Sequence, residues 1–213
     1  MDNAIYLPDT TAYILREEGK KYFGGSQDWY KEEWQRQAGC GPTNCASLLW
    51  YLAQSDESCR ALCPYATGQK EDFLQLMEAV WPYVTPGRMG VNTTAILTKG
   101  AKRYGEAMGV PLLTQALNIA PRGGWRKYEE VSAFITKALQ RRLPVAFLNL
   151  SCGKLKNLHS WHWVTIVALR GDTALIYDYG TARWIDLREW LETTALGGGF
   201  VTLEPAGRAN EEA

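Results

Sequence analysis

One cysteine, one histidine and one aspartate in this chain of 213 residues stand where together they could break an acyl bond. Cys40 lies in Gly39-Cys40-Gly41-Pro42-Thr43, directly before the apolar run Ala46-Ser47-Leu48-Leu49-Trp50-Tyr51-Leu52, at the mouth of an expected helix. Unpaired N–H groups and the positive end of the helix dipole favour an anion at such a place. A thiol there, with a cationic histidine beside it, can fall several units below the ~8.5 of a free cysteine. The chain has two histidines, His159 and His162. His162 opens a strand-like run ending at Leu169, whereas His159 follows the polar approach Lys154-Leu155-Lys156-Asn157-Leu158, so His162 is the stronger candidate base. Asp178, sixteen residues beyond His162, lies in the next strand-like run, Ala174 to Gly180.

Cysteine attack on an amide or thioester carbonyl needs a thiolate, a group that protonates the leaving atom, an acceptor that orients that group, and N–H donors at the developing oxyanion. Cys40, His162 and Asp178 fill the first three roles, and the backbone N–H of Cys40 is a natural oxyanion donor. Gly39 and Gly41 would let backbone and substrate approach without a Cβ between them. Pro42 suits a first helical turn, where its missing N–H costs nothing.

The elements that hold these residues follow from periodicity. His162 shares a strand face with Val164 and Ile166, and Asp178 shares one with Ile176 and Ala174. For both to stand on one face, paired positions must sum to an even number, such as 340 or 342. A three-residue loop near Leu169 to Gly171, or a bulge, gives that sum; a strict two-residue Gly171-Asp172 turn gives 343 and separates them. Upstream, apolar spacing predicts helices over 70–84 (Phe73, Leu74, Met77, Val80, Trp81), from an Asn92 or Thr93 cap to 104–108, and over 128–141 (Val131, Phe134, Ile135, Leu139). After position 144 the pattern turns to strands at 145–150, 162–169, 174–180, 183–187 and 199–204. A helical half followed by a mostly antiparallel sheet predicts an α+β fold.

Cys-Gly-Pro-Thr opening a helix, a distant His-Trp-Val strand and an aspartate sixteen residues later resemble the papain-like cysteine peptidases. They are most similar to the bacteriocin-processing double-glycine peptidase group (C39-like) and its stand-alone bacterial relatives. The stretch from Ser132 to Leu150, a helix, the basic turn Arg141-Arg142 and then Pro144-Val145 before a strand, strengthens the likeness. The resemblance spans roughly residues 27–203. It implies a papain-like architecture, with Cys40 as nucleophile, His162 as general base and acid, and Asp178 as the orienting group. The family usually places an oxyanion-stabilising glutamine about six residues before the cysteine. Here position 34 is tryptophan, so Gln35 is favoured, with Gln37 and the more distant Gln27 as rivals. The chain as given carries no transporter segment, so a double-glycine preference is not carried over.

Composition bounds the partners. Lysine plus arginine equals aspartate plus glutamate at 23 each, and no basic tract occurs, so no global field recruits nucleic acid or an anionic membrane. At 46% apolar and 22% charged residues, the chain can bury one substantial core. The expected organisation is a single catalytic domain over 1–205 with a flexible tail from 206 to 213. The start, Met1 to Asp9, has no basic segment or apolar h-region, and no stretch approaches the ~20 apolar residues of a membrane span, so the chain reads as cytoplasmic and without a membrane span.

Five cysteines in a chain of this size suit a reducing compartment. Cys45, Cys59, Cys63 and Cys152 read as small buried or half-buried thiols, since zinc sites show tighter paired spacings. The Gly197-Gly198-Gly199 run reads as a turn into the last strand. Nine tryptophans and eleven tyrosines suggest either core filling or an aromatic-walled groove for an extended peptide; of Trp161 and Trp163, at least one should face away from His162. The expected function is hydrolysis of a peptide or isopeptide bond through a thioester on Cys40. Acyl transfer from the same intermediate and a non-catalytic peptide-binding module are the alternatives. None of these needs a cofactor or metal, the implied partner is a peptide or peptide-like substrate, and nothing in the sequence fixes an oligomeric state.

Overall fold

The computed structural model describes residues 4–209; Met1 to Asn3 of the polar start and residues 210–213 of the expected tail lie outside it. Strands β1 (Ile5–Tyr6), β2 (Ile14–Glu17) and β3 (Lys20–Phe23) are followed by helices α1 (Glu33–Ala38), α2 (Cys40–Ser55), α3 (Lys70–Val80) and α4 (Thr94–Ala107). Then come β4 (Leu112–Ile119), α5 (Tyr128–Gln140), β5 (Val145–Asn149), β6 (His162–Arg170), β7 (Thr173–Asp178) and β8 (Thr181–Asp186). The last elements are α6 (Leu187–Thr193), β9 (Gly198–Pro205) and a helical turn, α7 (Ala206–Ala209), where the tail was expected to fray. The fold is α+β: the main sheet runs β4-β9-β5-β6-β7-β8, every paired neighbour is antiparallel, and β1 adds to β6 beyond the end of β5. Among the described residues no helix is long and apolar enough to cross a membrane.

Helix α2 is central. All its residues from Gly41 to Ala53 are buried, so it is enclosed on every side, mostly by apolar residues, with Thr43, Asn44 and Ser47 turned to the slot beside Cys40. Two of its serines bond within the helix, Ser47 Oγ donating to Thr43 O (3.0 Å) and Ser55 Oγ to Tyr51 O (2.7 Å), while Asn44 Nδ2 donates across to Thr165 Oγ1 of the sheet (2.9 Å). One flank packs on β6 and the other on α3. In α3 the predicted stripe is buried at Phe73, Leu74, Met77 and Val80, and in α4 the cap falls to Thr93, whose hydroxyl accepts from Ile96 N at 3.3 Å. On the sheet's other face, Phe147 of β5 lies between Phe200 (stacked, 4.9 Å) and Trp190 (edge-on, 4.6 Å).

The β6–β7 register shows how the catalytic face is made. Next to the turn, Arg170 pairs with Thr173, Leu169 with Ala174 and Ala168 with Leu175, the register of a tight Gly171-Asp172 turn. A bulge at Val167 then moves the pairing by one, so that Ile166 faces Ile176 and Thr165 faces Tyr177. The tight turn and the bulge therefore coexist. The carbonyl of Val167 accepts the N–H of Leu7 (2.8 Å), so the chain just past β1 binds the bulge.

The elements not read from the sequence include β1, the β2–β3 hairpin, α1, β4 and α6. The hairpin reverses through Glu18-Gly19, both at positive φ (48° and 81°), as two-residue reversals require. The hairpin matters to the site, because the segment after it is fixed to the turn that follows Asp178: Phe23 N donates to Gly180 O (2.8 Å) and Gly180 N to Gly25 O (3.1 Å).

Gly39 and Gly41 make room for the protein's own neighbours. A Cβ on Gly39 would meet the Gln35 carbonyl at 2.3 Å, and one on Gly41 would meet Val91 at 2.5 Å. Gly41→Ala should therefore destabilise the fold by about 1–3 kcal/mol through overpacking. Adding Val91→Gly should recover part of that loss; urea unfolding of the single and double variants checks both.

Candidate active site

Cys40 is the first residue of α2, with Gly39 before it as cap, so its N–H lies among the helix N–H groups that have no intrahelical partner. It is half-buried, between a narrow slot on one side and a wider cavity on the other. His162 is the first residue of β6 and Asp178 the last of β7, and the bulge puts both on one face of the sheet, at strand ends where they reach Cys40. His162 Nε2 lies 2.7 Å from Asp178 Oδ1, and both side chains are buried. With Nε2 so engaged, Nδ1 is the nitrogen left for the Cys40 thiol, which lines the same slot. Burial disfavours the imidazolium, but the bonds to Asp178 and Cys40 outweigh it and raise the His162 pKa to about 9. Burial likewise pushes the Asp178 carboxyl up, yet His162 and Arg183 outweigh it and hold the group below the usual carboxylate range.

Arg183 is a site residue the sequence reading missed. Its Nη2 donates to the second oxygen of Asp178 at 2.5 Å, and its Nε donates to Asn157 O at 2.9 Å. It can reach because Asp178 pairs with Thr181 in the β7–β8 hairpin, and Arg183, two residues on, shares that face. The available signal was Tyr179-Gly180 as a two-residue turn; both residues have positive φ (49° and 69°), whereas the sequence reading ran the strand through them. The same turn stacks Tyr179 flat on the His162 ring, centroids 5.1 Å apart and 8° between planes, with His159 edge-on to both. His159 is exposed and outside the Asp178 hydrogen bond.

Of the three candidate glutamines, the structure brings Gln27 to the slot. Gln35 is buried in α1 and donates to Glu78 Oε2 (2.8 Å), so the favoured oxyanion donor faces α3 and lines neither space beside Cys40. Gln37 is exposed on the same helix, bonded to Glu33 Oε1 (3.0 Å), on the wall of the wider cavity. Gln27 lines the slot with Cys40, His162 and Asp178, held by the hairpin contacts to Gly180 and by one amide N–H given to Arg36 O (2.5 Å). Its amide has a second N–H. The slot, about 20 Å³, has room for about one water.

The wider cavity, about 310 Å³, is walled by Trp34, Met89, Val91, Leu148, Leu150 and Trp161. Trp161, at φ 60°, turns outward and bonds Met89 O (3.1 Å), while Trp163 is buried on Val91 O (2.5 Å), so the two tryptophans flanking His162 part as expected. Cys45, Cys59 and Cys63 are buried in the helical half; burial pushes the Cys45 thiol far up and that of Cys63 to about 12.

NMR of the His162 ring should show its proton retained to about pH 9. In Asp178→Asn the pKa should fall toward or below 6.5, because burial then meets less opposition. Stability follows the same signs. A raised histidine pKa contributes fully below ~6.5 and is lost as pH rises through about 9. A depressed aspartate pKa contributes above ~3.9 and is lost as pH falls through its lower folded value. The urea-unfolding gap between wild type and Asp178→Asn should be widest at about pH 4–6.5 and narrow beyond pH 9.

No family model matches the chain, and no curated protein matches it significantly. Solved structures that resemble it include a Bacillus anthracis protein provisionally described as a C39-like peptidase, at 13% identity and a TM-score of 0.48, over 95% of this chain and 98% of that one. So loose an overlap says nothing of the chemistry, which rests on the site's own geometry.

Proposed function

We propose that the chain is a cysteine peptidase or amidase of the papain-like, C39-like kind, with its catalytic region over residues 27–203. The observation that carries this reading is the His162–Asp178 pair at 2.7 Å, which lines one slot with Cys40 at the start of α2. An imidazolium beside a thiol at a helix N-terminus is the arrangement that favours a thiolate.

In this mechanism Cys40 Sγ attacks the scissile carbonyl carbon, and the carbonyl electrons move onto oxygen. The Cys40 N–H and the second amide N–H of Gln27 stabilise that oxyanion. As the tetrahedral adduct collapses, the C–N bond breaks and the His162 proton goes to the leaving nitrogen, releasing an amine and leaving an acyl-thioester on Cys40. Neutral His162 then takes a proton from water, the hydroxide adds to the thioester, and collapse returns the thiolate and a carboxylic acid. Asp178 holds the ring in one orientation throughout, and Tyr179 covers its face.

Brief iodoacetamide treatment at pH 6, read by intact mass, should place one rapid label on Cys40. The label should vanish in Cys40→Ala and slow at least about tenfold in His162→Ala, since an ordinary thiol is under 1% ionised at that pH. Equal, slow labelling of wild type and His162→Ala would contradict an activated thiolate.

A further inference from the structure

Two amide oxygens beside the catalytic slot, Gln27 Oε1 and Asn44 Oδ1, have no hydrogen-bond partner among the described residues. Gln27 is 8% and Asn44 4% exposed, and both line the slot together with Cys40. A buried amide oxygen left unpaired is costly, so folded proteins pair such atoms with another protein group or with an ordered water. Each amide is already held at its nitrogen. Asn44 Nδ2 donates to Thr165 Oγ1 of β6 at 2.9 Å, and Gln27 Nε2 donates to Arg36 O at 2.5 Å. Turned over, Gln27 would set its amide oxygen against the Arg36 carbonyl, which fixes its oxygen and nitrogen ends.

Both oxygens accept and neither donates, so only a group with two hydrogens can serve them at once. The slot, about 20 Å³, has room for about one water. Thr43, next to Asn44 in α2, lines the same slot with a hydroxyl that has no partner among the described residues, and it can give its hydrogen to the water oxygen. That makes about three hydrogen bonds, the usual number for a buried water. The consequence falls on Gln27. Its one bond, to Arg36 O, leaves the amide plane free to swing about that contact. A second bond at Oε1 fixes the plane, and with it the direction of the N–H offered to the oxyanion.

We propose that one buried water joins Gln27 Oε1 to Asn44 Oδ1, and that Asn44 acts through it to position the Gln27 amide that receives the oxyanion. Asn44 lies four residues beyond Cys40, on the same side of α2, and the wider cavity beside Cys40 does not include it. It touches neither the substrate nor the reacting atoms, so it is a positioning residue. The inference rests on the hydrolase reading above. It gives the polar pair Thr43-Asn44, set in a buried helix, a task that packing alone does not require.

A high-resolution crystal structure of the wild-type protein should show a water within hydrogen-bond distance of both oxygens; no ordered water between them would overturn the inference. The effect on catalysis is read with p-nitrophenyl acetate. The Cys40 thiolate adds to the acetyl carbon, the C–O bond breaks, p-nitrophenolate leaves and an acetyl-thioester remains, a step that passes through an oxyanion. Iodoacetamide alkylates the same thiolate at a saturated carbon with loss of iodide, and forms no oxyanion. Asn44→Leu should slow acetylation about tenfold, against the ~10²–10³ of losing an oxyanion donor outright, and change alkylation less than about twofold. Added to Gln27→Ala, the same substitution should change acetylation less than about twofold. Circular dichroism checks the fold of each variant, and Asn44→Ala carries the same comparison if Asn44→Leu does not fold. Equal slowing of acetylation and alkylation, or an undiminished effect of Asn44→Leu in the Gln27→Ala background, would overturn the inference, because a purely structural role acts without Gln27. Those outcomes leave the hydrolase reading standing. A Cys40 that is neither alkylated rapidly nor acetylated faster than an ordinary thiol would remove both together.

Discussion

Strand β6 has to satisfy two demands that a regular ladder cannot meet at once. Its hairpin with β7 closes through the tight Gly171-Asp172 turn, a register that puts His162 and Asp178 on opposite faces of the sheet. One extra residue, Val167, moves the pairing by one and returns both side chains to a single face of the sheet. Leu7 then takes up the carbonyl at the bulge, so the N-terminal segment binds the irregularity it would otherwise leave open. The Asp178 hydrogen bond, the approach to Cys40 and the Tyr179 stack all depend on that one displaced residue.

The electrostatics of the site follow from burial. Taking a carboxylate and an imidazolium out of water is unfavourable for each alone, and removing one partner of such a pair typically costs about 3–5 kcal/mol. Here each oxygen of Asp178 has its own cation-bearing donor, His162 on one and Arg183 on the other. Arg183 also holds Asn157, in the loop that carries His159 and Trp161, so the same guanidinium steadies the carboxylate and the segment forming one wall of the substrate cavity. At the other end of that loop Asn149 donates to the His159 carbonyl and accepts from Trp190 Nε1 at 2.9 Å. The imidazole is thus fixed by its neighbours in sequence as well as by its partners in space.

What could be read from the sequence was local or periodic. The Cys40 helix start, the stripes of α3, α4 and α5, and the strands after 144 announce themselves through apolar spacing and caps, because burial of one face dictates residue type at each turn. The site was legible only where its residues lie on such elements. Gln27 was ranked last among three glutamines because distance along the chain was the measure used. Its place is set instead by a hairpin with little apolar alternation (Ile-Leu-Arg-Glu and Lys-Lys-Tyr-Phe) and by backbone bonds to Gly180, which no residue pattern encodes. Arg183 was hidden by a two-residue error in where β7 ends. Strand β4 is largely exposed along its middle and lacks the run of buried residues that marked β5 and β6.

The central claim is that Cys40 carries the acyl group of the substrate. The most direct test mixes the protein with a cleaved peptide, quenches in acid within the first turnover, and maps the adduct by mass spectrometry. The account predicts the peptide's acyl fragment on Cys40 as a thioester, released by neutral hydroxylamine and absent in Cys40→Ala, which also forms no product. Product formation that persists in Cys40→Ala, or an acyl fragment attached to any residue other than Cys40, would contradict it.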